Sequence, residues 1–238
     1  MLSSRVATLQ DNSTHGEDNF VIRELGDHAF LDAIMDGVTR RAGKQATRLV
    51  ADALAVAMLT SADNLVAVLE QVNQQLYGMG RGGFLLTTVS AALYLGGKLT
   101  VTGVGDSSAF LVRSNALQQL SSARRGVFLG AAPQLQGLSY MEVSLEPGDR
   151  LVLATDGITD NIPSSQLAEV IRHSGSPDEA TSQLKTIMDT QSAGVRSAAA
   201  PLQGRFRSDD WSAIVRFFSA TGQDASPEHL TRAAIKTR

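Results

Sequence analysis

The stretch EPGDRLVLATDGITD, residues 146–160, sets the pattern of the chain. A turn, Glu146-Pro147-Gly148-Asp149, feeds the apolar run Leu151-Val152-Leu153-Ala154, which breaks at Thr155-Asp156-Gly157. A short run that is apolar on both faces reads as a strand buried on both sides. Such a strand delivers Asp156 to the rim of a core, where a carboxylate is costly unless a cation or a hydrogen-bond network neutralises it. Other acids delivered to the same place would supply the ligands of such a cation.

Totals narrow the classes. At 238 residues, 43% apolar and 19% charged, the chain reads as one globular domain with a sizeable core. A formal net charge of −3, with no dense basic run, gives no electrostatic footprint for nucleic acid or an anionic membrane. The absence of cysteine excludes disulfides and thiolate metal sites, so any metal must rest on carboxylates, carbonyls or imidazole. The opening MLSSRVATLQDN carries no signal-like apolar region, and the apolar stretch 49–59 is interrupted by Asp52 and too short to span a bilayer. A cytoplasmic protein is expected.

Outward from the opening stretch, residues 5–10, 19–24 and 29–35 pattern as strands, the third ending at Asp36-Gly37 in parallel with Asp156-Gly157. Two amphipathic helices follow, one on Ala46, Leu49, Val50, Ala53, Leu54 and Ala57, the other on Leu65, Leu69, Val72 and Leu76. Residues 85–95 and 98–104 read as a hairpin turned at Gly96-Gly97, and 109–113 as a further strand. Residues 117–138 show no regular pattern. A strand over 139–145, two more helical patterns around Leu167 and Leu184, a loose segment over 194–208 and a last strand over 211–218 complete the domain. A polar tail over 219–238 has helical character at 228–236. Strands in antiparallel blocks with helices grouped in two pairs predict an α+β fold with sheets inside and helices outside.

Four strand borders carry carboxylates: Glu17-Asp18, Asp36-Gly37, Asp156-Gly157 and Asp209-Asp210. Magnesium and manganese want hard oxygen ligands and keep several waters, so a few carboxylates, a carbonyl and solvent suffice. Two such ions about 3.5 to 4 Å apart position a shared water for in-line attack on phosphorus. A glycine after aspartate lets the backbone turn its own carbonyl toward an ion. Taken singly, each Asp-Gly reads first as a plain turn, and spacing alone does not make the acids converge.

The order of motifs resembles the PPM, or type 2C, family of metal-dependent protein serine/threonine phosphatases in a small, bacterial-like, single-domain form. GEDNF (16–20), AIMDG (33–37), LLTTVSAALY (85–94), VGDSSAFL (104–111), PGDRLVLATDGITD (147–160) and DDWSAIV (209–215) occur in the family's order. The resemblance implies a four-layer α-β-β-α sandwich over residues 1–218, two central antiparallel sheets flanked by helix pairs. It implies hydrolysis of phosphoserine or phosphothreonine by in-line attack of a metal-bridging hydroxide on two Mn2+ or Mg2+ ions. Carried over by position, Asp36 bridges both ions, the Gly37 carbonyl serves one, Asp156 and Asp210 serve the other, and Glu17 and Asp18 hold waters around them. Asp106 matches the residue that many bacterial members use, with the aspartate here numbered 156, for a third, weaker ion. The implied partners are a phosphoprotein substrate and a Ser/Thr kinase or its targets, with the chain a monomer.

The departures concern the phosphate. The family usually places an arginine four residues before the glutamate of the first motif; here that position is Ser13. Val38 stands where His or Met is common, and Thr39-Arg40-Arg41 replaces the usual Gly-Gly-His. Arg40 and Arg41 are candidate substitutes for the phosphate grip, with two solvated loop arginines as the plain alternative. These departures also admit a catalytically weak regulatory protein. A partner-switching phosphatase acting on an anti-sigma antagonist shares the fold and the Asp209-Asp210 ending. Asp32, four residues before Asp36, reads either as an acid supporting the metal site or as the mark of an exposed edge.

Overall fold

The computed structural model describes residues 2–26, 28–121, 124–196 and 206–221. Two five-stranded antiparallel sheets stack face to face. One has the order β1 (Leu2–Asp11), β10 (Trp211–Ala220), β9 (Arg150–Ala154), β6 (Ser108–Arg113), β7 (Ala116–Gln119). The other has the order β2 (Asn19–Gly26), β3 (Ala29–Met35), β4 (Val89–Leu95), β5 (Lys98–Val104), β8 (Ser139–Ser144). Helices α1 (Gly43–Val56) and α2 (Ala62–Gly80) cover the second sheet. A single helical turn, α3 (Asp156–Thr159), precedes α4 (Ser164–His173) and α5 (Pro177–Arg196), which cover the first. The expected four-layer sandwich is the fold found. No helix among the described residues is long and apolar enough to cross a membrane.

Strand alternation sorts the side chains into three cores. On β9, Leu151 and Leu153 face the space between the sheets while Val152 and Ala154 pack under α4 and α5. On β3, Phe30 and Ile34 face between the sheets while Leu31, Ala33 and Met35 pack with Val50, Leu54, Leu69 and Val72 of the helix pair. Each such buried side chain stabilises by about 1.5–3 kcal/mol relative to exposure. The turn that opens the 146–160 stretch is held by Asp149, buried, which accepts hydrogen bonds from Arg113 Nε (2.8 Å) and Nη2 (2.7 Å) and from the Glu146 amide (2.8 Å).

Several boundaries depart from the sequence expectation. The fourth strand starts at Val89 rather than 85, because Leu85–Thr88 leave the sheet to wrap the end of β3. Thr87 bridges Gly37 and Leu129, and Thr88 donates its amide to the Asp36 carbonyl at 2.8 Å. Residues 116–119, given no structure by pattern, form β7 as a hairpin on β6. The last strand runs to Ala220, two residues past the expected domain end at 218, and pairs along its full length with β1. The expected helix over 228–236, and residues 197–205 of the loose segment, lie outside the described residues.

Asp32 is neither an edge marker nor an acid of the metal site. It is fully buried and faces Arg216 of β10 across the sheets, accepting from Nε at 2.7 Å and Nη2 at 2.8 Å. Arg216, also buried, further donates to Glu24 (3.0 Å) and Ser4 (2.9 Å) and lies 4.0 Å from the Phe30 ring centroid.

Candidate metal centre

Four acidic borders come to one end of the sandwich because antiparallel pairing puts the start of β2 beside the end of β3, and the start of β10 beside the end of β9. One carboxylate oxygen from each of Asp36, Asp106 and Asp156 lies within 4.8 Å of the other two. Asp106 arrives from the turn between β5 and β6. Two close approaches set the backbone. A Cβ on Gly37 would lie 2.5 Å from the Gly43 backbone, so only glycine lets the start of α1 sit against the Asp36 turn. A Cβ on Gly157 would lie 2.0 Å from the Asp210 carbonyl oxygen, so glycine lets the β10 entry press on the Asp156 turn. Neither glycine has positive φ; room, not unusual backbone angle, is what they supply.

Electrostatics at this end are unbalanced. Burial, with repulsion from Asp18, Asp156, Asp209 and Asp106, pushes the Asp36 carboxyl up to about 10. Burial first, then Asp106, Asp209 and Asp160 against the pull of Arg125, raises Asp156 to about 6. Burial raises Asp18 to about 7 despite hydrogen bonds from Ser212 and Thr155, and burial also raises Asp106. The Asp18 Oδ2 accepts from Thr155 Oγ1 at 2.9 Å, whereas its buried Oδ1 has no partner among the described residues. Like-charged carboxylates at close quarters, one of them with an unsatisfied buried oxygen, fit a hard divalent cation with an oxygen donor set.

The remaining expected site residues are placed otherwise. Asp210 is buried and turned toward the 14–17 loop, its Oδ1 accepting from the amides of Thr14 (3.0 Å) and His15 (2.8 Å), its Oδ2 from that of Glu17 (2.8 Å). Asp209, half-buried, is the member of the pair that repels both Asp36 and Asp156. Asp209 Oδ1 also lies 3.1 Å from His15 Nδ1. Glu17 Oε2 accepts from Thr39 Oγ1 at 2.7 Å. Arg41 donates to the Gly83 carbonyl at 3.1 Å and stands over Phe84, pinning the loop after α2. Arg40 is exposed with φ 64°. Ser13 is exposed, and its amide donates to Asp11 at 2.8 Å.

Sequence reasoning named Asp209 only as part of an acidic border, and gave no role to Thr155, Asp160 or Arg125. Asp160 carried a usable signal: it stands four residues after Asp156, one helical turn away, and its amide donates to the Asp156 carbonyl at 2.7 Å. Arg125 lies in the segment without pattern and carried none.

A four-layer sandwich with an acidic, cation-demanding end is the architecture of the PPM-type metal-dependent protein serine/threonine phosphatases. The chain belongs to the Stage II sporulation protein E (SpoIIE) family, whose model matches residues 26–216. It is 26% identical over 210 residues to "Serine/threonine phosphatase stp" of Listeria welshimeri serovar 6b, an alignment covering 69% of this chain and 81% of that protein. Its fold is similar to that of "PppA, a key regulatory component of T6SS in Pseudomonas aeruginosa", with TM-score 0.74, 21% identity, and 90% of this chain and 97% of that one covered. It is likewise similar to the catalytic domain of the serine threonine protein phosphatase PstP in complex with two manganese ions, with TM-score 0.72, 20% identity, and 92% and 100% covered.

Proposed function

We propose that this chain removes phosphate from phosphoserine and phosphothreonine of protein substrates at the Asp36/Asp106/Asp156 centre, using two divalent cations, manganese or magnesium. The convergence of those three carboxylates at the end of the sandwich carries the reading. Asp36, Asp156 and the Gly37 carbonyl are assigned as ligands, with Asp209 in place of Asp210, whose oxygens are engaged by three loop amides. When bound, the cations acidify water and polarise the phosphoryl oxygens. The chain's own residues hold the geometry. Thr88 fixes the Asp36 backbone, donating its amide to the Asp36 carbonyl, while its Oγ1 accepts from the Asp36 amide at 3.1 Å. Thr155 orients Asp18, and Asp210 holds the 14–17 loop, so that Glu17 and Asp18 are assigned as acceptors for ordered water around the centre. The third ion expected at Asp106 is not part of this proposal, since the Arg125 guanidinium already stands 3.8 Å from that carboxylate.

The test is hydrolysis of a phosphothreonine peptide and of an aryl phosphate with added Mn2+. Activity is expected to vanish with a chelator and to fall by at least about a hundredfold in Asp156→Ala. Wild-type protein that binds Mn2+ and remains inert would favour a regulatory role instead.

A further inference from the structure

A phosphate dianion at an acidic centre needs a planar cationic fork as well as metal, and Ser13 and Arg41 do not supply one. We propose that Arg125, seated on Asp160 beside Asp106 and backed by Arg207, grips the substrate phosphate in this chain; this rests on the phosphatase reading above. Of the three carboxylates of Asp36, Asp106 and Asp156, only that of Asp106 has a basic side chain within 4.0 Å among the described residues, and it is Arg125, whose Nε lies 3.8 Å from Asp106 Oδ2. Asp160, mostly buried, bonds Arg125 through one carboxylate oxygen and Arg207 through the other, so two guanidiniums are drawn together at the edge of the centre. Asp160 itself is fixed at the C-terminal end of α3, one turn after Asp156, its amide donating to the Asp156 carbonyl.

Arg207 is placed by its backbone as well. Its amide donates to Asn161 Oδ1 at 2.8 Å, and Asn161 Nδ2 donates to the Arg207 carbonyl at 2.9 Å and to the Gly157 carbonyl at 2.8 Å. The two residues that follow the short helix presenting Asp156 therefore also clamp both arginines. Side-chain exposures of 58% for Arg125 and 59% for Arg207 leave N–H groups beyond those used by Asp160 open to an incoming anion. Two arginines sharing one carboxylate keep N–H donors to spare for a phosphate.

The experiment compares wild type, Arg125→Ala, Arg125→Lys and Arg207→Ala as full-length Mn2+-loaded proteins. Readouts are phosphopeptide kinetics, inhibition by inorganic phosphate, and calorimetric binding of inorganic phosphate and of Mn2+. Arg125→Ala is expected to raise KM and the phosphate inhibition constant by about tenfold or more, with a smaller change in kcat, and Arg125→Lys to recover only part, because it restores charge without the fork. Arg207→Ala should give the same pattern, weaker. Mn2+ affinity should hold or tighten in Arg125→Ala, since a cation beside Asp106 is removed. Weaker Mn2+ binding would mean that Arg125 orders the ligands, and would overturn the proposal. An inert wild type would overturn the phosphatase reading alone, because calorimetry still reads the grip. Equal phosphate affinity in wild type and Arg125→Ala, or no phosphate binding by wild type, would overturn the grip.

Discussion

Asp32 and Asp36 stand four residues apart on and just beyond one strand, both removed from most solvent, yet they are neutralised in opposite ways. Asp32 meets a buried arginine with both oxygens bonded. Asp36 meets Asp18, Asp106, Asp156 and Asp209, every one of the same sign. Where a buried charge only ties one sheet to the other, the chain carries its own counterion. Where the charge is to do chemistry, the counterion is left to be recruited, and with it comes the power to polarise phosphate. The two regions should therefore respond oppositely to mutation, metal and pH.

The largest effect is expected in the paired region. Arg216→Met strands Asp32 in the core and should cost about 3–5 kcal/mol of unfolding free energy. Adding Asp32→Leu should restore most of that loss, since two apolar side chains then fill the same space. Chemical denaturation of the two single variants and the double variant forms the cycle. A double variant no more stable than Arg216→Met would break the contrast, showing that the pair does more than cancel its own charge.

At the metal end, pH is the lever. The carboxyls of Asp36, Asp18 and Asp156 are raised to about 10, 7 and 6 in the fold, against 3.8 for an ordinary aspartate. The metal-free folded protein thus binds more protons than the unfolded chain above pH 4. Stability is fully present below 3.8 and is lost as pH rises through 6, 7 and 10. Between pH 5 and pH 8 the metal-free protein should become steadily less stable, read as a falling thermal midpoint. Saturating Mn2+ should flatten that slope, because the cation takes the place of the protons and binds more tightly as pH rises. A metal-free midpoint that climbs over this range would sink the reading.

This contrast also explains how far the sequence was legible. The sandwich was readable because LVLA, and AFLDAIM apart from Asp32, are apolar on both faces, and the helices each show one apolar stripe. Asp36 and Asp156 were readable because each ends such a strand. The partner of Asp32 was not, since Arg216 lies 184 residues away and only the stacking of the sheets brings it near. Nor was the division of labour within Asp209-Asp210. Two adjacent aspartates before a strand offer no pattern that says which one turns to the loop amides; that depends on where residues 14–17 pass. Arg125 was invisible for the same reason, being placed by Asp160 rather than by any periodicity of its own.

The Asp209-Asp210 pair gives the smallest stability effect and the sharpest division. Asp210→Asn keeps one acceptor oxygen but loses the charge that faces three amides, and should cost about 1–3 kcal/mol. Asp209→Asn removes one like charge from the acidic end and should change metal-free stability by about 0.5 kcal/mol or less. Function should run the other way. Asp209→Asn is expected to weaken Mn2+ binding and lower kcat directly, whereas Asp210→Asn acts through the 14–17 loop, and its loss should lessen at low temperature, where that loop stays folded. Calorimetric Mn2+ titration of both variants beside their denaturation curves separates the two roles. If Asp210→Asn instead loses Mn2+ binding with stability unchanged, the positions assigned from the motif order hold, and the amide-bound carboxylate turns to metal when metal is present.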